Sequence, residues 1–87
     1  PMIDVITAMP GATPTEAENL LARPVEQRML ELPGVDHVYT MSGDGWAMVT
    51  VRFAVGEDQE RSVTRVHAKL ASLAGQAPPG AMPPVVK

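Results

Sequence analysis

The sequence predicts an α+β domain of the ferredoxin-like, split βαβ plan, β-α-β-β-α plus a truncated last strand, with both helices on one face of a mixed sheet. Three observations carry that prediction. Segments that alternate apolar and polar residues stand apart from segments with helical apolar spacing. Proline and glycine gather at the joints between those segments: Pro10-Gly11, Pro33-Gly34, Gly43 to Gly45, Gly56, Gly75 and Pro78 to Pro84. The order of the segments, joined by right-handed crossovers, sets the first and third strands side by side at the sheet centre.

Met2 to Met9 opens the chain as a strand, with Ile3, Val5, Thr7 and Met9 on the core side and Asp4 and Ile6 on the other. Thr13-Pro14-Thr15-Glu16 starts a helix: Thr13 caps the free amides, Pro14 suits the first turn, and Glu16 reaches back to the Thr13 amide. Ala17, Leu20, Leu21, Val25, Met29 and Leu30 form its apolar stripe. Pro24 inside this helix predicts a kink or break near Leu20 and Leu21. Val35 to Ser42 is the second strand, and Gly43-Asp44-Gly45 a tight turn into the third, Trp46 to Val55, antiparallel to it. On that third strand Ala47, Val49, Val51, Phe53 and Val55 share the core face, opposite Met48, Thr50 and Arg52. Glu57 to Ala74 is the second helix, capped by Asp58, buried through Val63, Val66, Leu70 and Leu73, and closed by Gly75. Residues 1–75 thus form the body; residues 76–87 are a Pro/Gly-rich linker and the start of the last strand, Val85-Val86-Lys87.

Composition narrows the function. At 87 residues the chain is one small domain, of a size that hides only about 60% of the surface its unfolded form exposes. Cysteine is absent, which excludes disulfides and thiolate zinc sites. A net charge of −3, no basic stripe and 3% aromatic residues argue against nucleic-acid partners. The apolar runs fall far below the ~20 residues that span a bilayer, and no signal-peptide pattern appears. A start at Pro1 rather than Met reads as a piece of a longer protein.

Catalytic constellations are not evident. His37 and His67 read as ordinary, partly exposed histidines, since a metal would need them to converge. Glu57, Asp58 and Glu60 suit the start of a helix better than a general acid–base pair. Asp44 between two glycines is explained by its turn. The six methionines read mainly as core filling, although Met41 and Met48 can share the open face. No cofactor or metal is expected. The face without helices carries Asp4, Ile6, Met48, Thr50 and Arg52, with Tyr39 and Met41 beside them. An uncovered face that mixes apolar and polar groups points to a partner or ligand.

The motifs in sequence resemble one family. Ile6-Thr7-Ala8-Met9-Pro10-Gly11-Ala12 running into Thr13-Pro14-Thr15-Glu16-Ala17-Glu18 is similar to the entry of the first porter subdomain of resistance-nodulation-division efflux transporters. Arg23-Pro24-Val25-Glu26-Gln27, Leu32-Pro33-Gly34-Val35-Asp36-His37-Val38 and Met41-Ser42 resemble its next motifs in order. So do Val49-Thr50-Val51-Arg52-Phe53, Val55-Gly56-Glu57-Asp58 and the exit Pro78-Pro79-Gly80 with Pro83-Pro84. The stretch from Gly56-Glu57-Asp58 to Lys69-Leu70 most resembles members of the acriflavin-resistance or hydrophobe/amphiphile exporter type.

That resemblance implies a periplasmic segment of a proton-driven inner-membrane pump, without catalysis of its own, lining the pore and part of the substrate pathway. It implies a homotrimer, a periplasmic adaptor, an outer-membrane channel, and small amphiphiles or cations as substrates. The pocket-facing positions correspond here to Asp4, Ile6, Met48 and Thr50, with Arg52 beyond. Other readings of the same open face are an independent small-molecule or regulatory module, and an enzyme using His37 or Asp44. With an incomplete fourth strand the first strand leaves a bare edge, and the separate chain is expected to dimerise through it.

Overall fold

The computed structural model describes every residue from Pro1 to Lys87. The chain forms strand β1 (Met2–Ala8), a short helix α1 (Pro14–Ala17), a π-helical turn (Glu18–Ala22) and helix α2 (Arg23–Leu30). Strands β2 (Val35–Gly43) and β3 (Trp46–Phe53) follow, then helix α3 (Gln59–Ala71), a 3-10 turn (Ala74–Gln76) and strand β4 (Val85–Val86). The sheet order is β2-β3-β1-β4, with β1 and β3 central as expected. Every neighbouring pair is antiparallel, so the sheet is not mixed. The split plan requires this, since each crossover skips one strand and that strand runs opposite to both its neighbours.

The core lies between the sheet and the helices. Ile3, Val5, Ala47, Val49, Val51 and Phe53 supply the sheet side, and Ala17, Leu21, Val25, Met29, Val66 and Leu70 the helix side. The stripe expected on the first helical segment is corrected at two positions, for Leu20 and Leu30 are exposed and Ala22 is buried instead. The π turn explains part of this. Pro24 has no amide to donate, and its ring would strike a carbonyl one α-turn back. The turn just ahead widens, so that the Arg23 amide donates to the Glu18 carbonyl, and the residues in it are rotated relative to a continuous α-helix. The disruption expected from Pro24 thus takes the form of a wider turn.

Two other boundaries move. β3 ends at Phe53, and Val55, expected on the core face, is fully exposed in the turn that carries Gly56 at φ +97. α3 ends at Ala71 with Ser72 as its cap, not at Gly75. Both helix starts match the sequence reading. Thr13 and Glu16 form a reciprocal capping box, and the Asp58 side chain accepts from the Arg61 amide.

The edge of β1 is not bare. Asp4 exchanges two backbone hydrogen bonds with Lys87, at 3.0 and 2.9 Å, and the Met82 amide donates to the Ala8 carbonyl at 2.8 Å. The short β4, Val85 opposite Ile6 and Val86 opposite Val5, therefore closes the side through which dimerisation was expected. The hairpin turn is tied down as well. Gly45, at φ +75, donates to the Ala12 carbonyl and accepts from the Met9 amide, both at 2.8 Å. A Cβ there would sit 3.4 Å from the Met9 carbonyl oxygen, in a conformation that L residues rarely adopt.

Two carboxylates couple stability to pH. The hydrogen bond that the Thr13 backbone amide donates to the Glu16 carboxylate, helped by the Thr13 side chain, holds Glu16 below the ordinary glutamate range. The Lys69 ammonium, 2.9 Å away across the two helices, does the same for Glu31. Each binds its proton more weakly folded than unfolded. Their contribution is therefore whole above the ordinary glutamate range and is lost as pH falls from there through the lower folded values. Glu16→Gln and Glu31→Gln are expected to flatten the acid limb of a stability–pH curve followed by urea denaturation. An acid limb identical in all three chains would refute this.

Candidate functional site

Strand alternation puts half of each strand's side chains on the face away from the helices, and antiparallel register sorts them into cross-strand rows. In the first row Met2 faces Arg52, and Arg52 faces His37. In the second Asp4 faces Thr50, and Thr50 faces Tyr39. The third crosses all four strands: Val85, Ile6, Met48 and Met41. No helix of this chain covers the face, since the helices pack on the opposite side against Val5, Val49 and Val51.

All five sequence-predicted residues, Asp4, Ile6, Met48, Thr50 and Arg52, are thus gathered on one surface, each half-buried. Met41 and Tyr39 join them, more exposed. The Thr50 hydroxyl donates to Asp4 Oδ1 at 2.7 Å, which fixes the carboxylate and leaves its second oxygen without a partner from Thr50. Arg52 Nη2 lies 3.1 Å from Asp36 Oδ2 and 3.2 Å from His37 Nδ1. His37 Nδ1 also lies 3.5 Å from Asp36 Oδ1, so the Arg52 guanidinium and the Asp36 carboxylate both face that nitrogen. The His37 and Tyr39 rings stack at 5.6 Å, and the Arg52 guanidinium carbon lies 5.9 Å from the Tyr39 centroid. Arg52 Nε is shielded from solvent and has no hydrogen-bond partner.

The face is therefore graded. One end is charged and aromatic, the middle holds a carboxylate and a hydroxyl, and beyond it comes a band of aliphatic and thioether side chains that a last row, Ala8, Trp46 and Gly43, closes with the indole. Such a surface offers an amphiphile a dispersion contact in that band and a polar anchor beside it. It offers no assembled chemistry for bond breaking. His67 lies on α3, across the sheet from His37, and Asp44 is exposed at the hairpin tip. No group of three or more His, Cys, Asp or Glu side chains converges. No helix is long and apolar enough to cross a membrane.

Sequence reasoning left three residues of these rows out of the face, Met2, Val85 and His37. Val85 was legible in principle, because Val86 beside it must take the opposite side of a strand. His37 was obscured by the irregularity between Val35 and His37, which shifts the register at the start of β2.

Residues 1–87 match the model of the AcrB/AcrD/AcrF family over their whole length. The chain is 31% identical over 81 residues to a cation efflux system protein, CzcA, of Alcaligenes sp. strain CT14, covering 93% of this chain and 8% of that protein. It is 26% identical over 80 residues to the multidrug resistance protein MdtC of Proteus mirabilis, covering 92% of this chain and 8% of that protein. Among solved structures, the crystal structure of a heavy metal efflux pump superposes with a TM-score of 0.88 at 24% identity. That match covers 99% of this chain and 9% of the pump, and it shows a shared fold. The chain thus spans under a tenth of the length of these relatives.

Proposed function

The chain belongs to the AcrB/AcrD/AcrF family, and from that membership we propose that it is the first porter subdomain of a proton-driven resistance-nodulation-division efflux pump, placed in the periplasm and lining part of the substrate path. Residues 1–75 form the body of the subdomain, and residues 76–87 lead out of it through β4. The working assembly is a homotrimer in the inner membrane that meets a periplasmic adaptor and an outer-membrane channel. This segment binds and guides; the chemistry of energy coupling lies elsewhere in the pump.

The observation that carries this reading is the uncovered row Val85, Ile6, Met48 and Met41 beside the Asp4–Thr50 pair. Thioethers adapt to varied shapes, and a fixed carboxylate attracts a cationic group. Relatives named for cation efflux and for multidrug resistance fit the two halves of that surface. In the intact transporter, Met48→Ala is expected to weaken export of some apolar compounds about fivefold, the effect of roughly 1 kcal/mol of lost contact. Thr50→Ala and Asp4→Asn are expected to act on cationic compounds instead. The measure is the concentration of each compound that stops growth of cells dependent on the pump. Unchanged resistance to every compound tested, at equal protein levels, would reject the assignment.

A further inference from the structure

A concave surface lies on the helix side, with the sheet between it and the open face. It is a cleft of about 400 Å³ lined by 15 residues, within the range of small-molecule sites. One wall is the π turn and the start of α2, through Leu20, Leu21 and Val25; the other is the end of α3, through Leu70, and the residue after its cap, Leu73. Residues 76–84 close the third side as a strap, with Ala81 half-buried against the core. The strap is held in place, since Met82 donates to Ala8 at 2.8 Å and β4 then pairs with β1.

Three features set this cleft apart from an incidental gap between helices. None of its lining residues is charged. Thr7 and Gln76 are the polar side chains among them, and the Thr7 hydroxyl already donates to the Ala47 carbonyl. The π turn, a distortion that recurs at functional sites, contributes Leu20, which is 44% exposed, to the cleft wall.

We propose that this cleft binds an uncharged, largely hydrocarbon molecule bearing one hydrogen-bonding group, separately from the open face. An ionised ligand would lose its hydration there with no opposite charge to compensate. A neutral one gains the burial of apolar surface from both helices and can turn its polar atom toward Gln76 at the rim. The site does not depend on the reading of the open face.

The test places a thiol in the cleft, Leu73→Cys, in the intact transporter made free of other cysteines. Alkylation by iodoacetamide is followed with 1-naphthol or 1-naphthalenesulfonate present, two probes of similar shape and different charge. At ten times its Kd, 1-naphthol is expected to slow the reaction about tenfold, and the sulfonate at the same concentration to leave it unchanged. Ala77→Cys, at the exposed lip, serves if Leu73→Cys does not fold. Thr64→Cys, on the outer surface of α3, is expected to show no protection, and Met48→Ala is expected to keep the protection intact. Equal protection by both probes, or none by 1-naphthol, overturns the proposal. So does a thiol that reacts only after unfolding, which means that another segment of the protein fills the cleft.

Discussion

Phe53→Ala is expected to cost the chain most of its stability. Phe53 ends β3, is 2% exposed, and is the largest of the fully buried side chains. Truncating a buried phenylalanine costs about 3–5 kcal/mol, because transfer energy and a cavity add. A chain of this length, at roughly 0.05–0.15 kcal/mol per residue, has only about 4–13 kcal/mol in all. No second aromatic ring shares the buried core, so the gap has only short aliphatic neighbours to relax into it. Urea denaturation of the two chains measures the difference. Val55→Ala is the control: two residues further on, fully exposed, it is expected to stay within about 0.5 kcal/mol of the parent. A loss below about 1 kcal/mol for Phe53→Ala would mean that β3 does not hold Phe53 in the core.

Removal of residues 85–87 is expected to have the next largest effect, and of two kinds. The paired backbone hydrogen bonds between Asp4 and Lys87 disappear, and Val86 leaves its place against the core. At about 0.5–1.5 kcal/mol for each hydrogen bond, together with the apolar contact, the loss is about 2–4 kcal/mol. The outer side of β1 is then unpaired, and an unpaired edge templates association. Light scattering over a concentration series is expected to show dimers of the shortened chain under conditions where the 87-residue chain stays monomeric. A shortened chain of equal stability that remains monomeric would refute both parts. Dimers formed equally by both chains would instead point to the outer edge of β2.

Much of this fold was legible because it is written in local chemistry. Thr13 with Glu16, and Asp58, announce helix starts through side chains that bond amides a turn away, and no tertiary contact is needed to read them. The alternation of Met2 to Ala8 and of Trp46 to Phe53 assigns faces because the pleat allows only two. The family resemblance rests on the same punctuation, and the match over the whole chain bears it out. Less legible were features decided at a distance. The alternation continues through Val55, but the turn at Gly56 takes over first. Leu20 and Leu30 fit a straight helical stripe that the π turn does not allow. Gly75 offers a helix end that Ser72 preempts. The site followed the same division. The five residues of the open face come from strand parity, whereas Val85 joins them only through pairing across the sheet.

The clasp at Gly45 has a mechanical consequence. Its two hydrogen bonds fasten the hairpin tip to the loop that feeds the first helix, with one partner on each side of Pro10-Gly11. That helix is thus tied to the adjoining end of the sheet through the hairpin as well as through β1, from which its loop leaves. The start of the first helix and the hairpin end of the sheet are therefore expected to move as one piece, and a Gly45 substitution that breaks the clasp is expected to uncouple them.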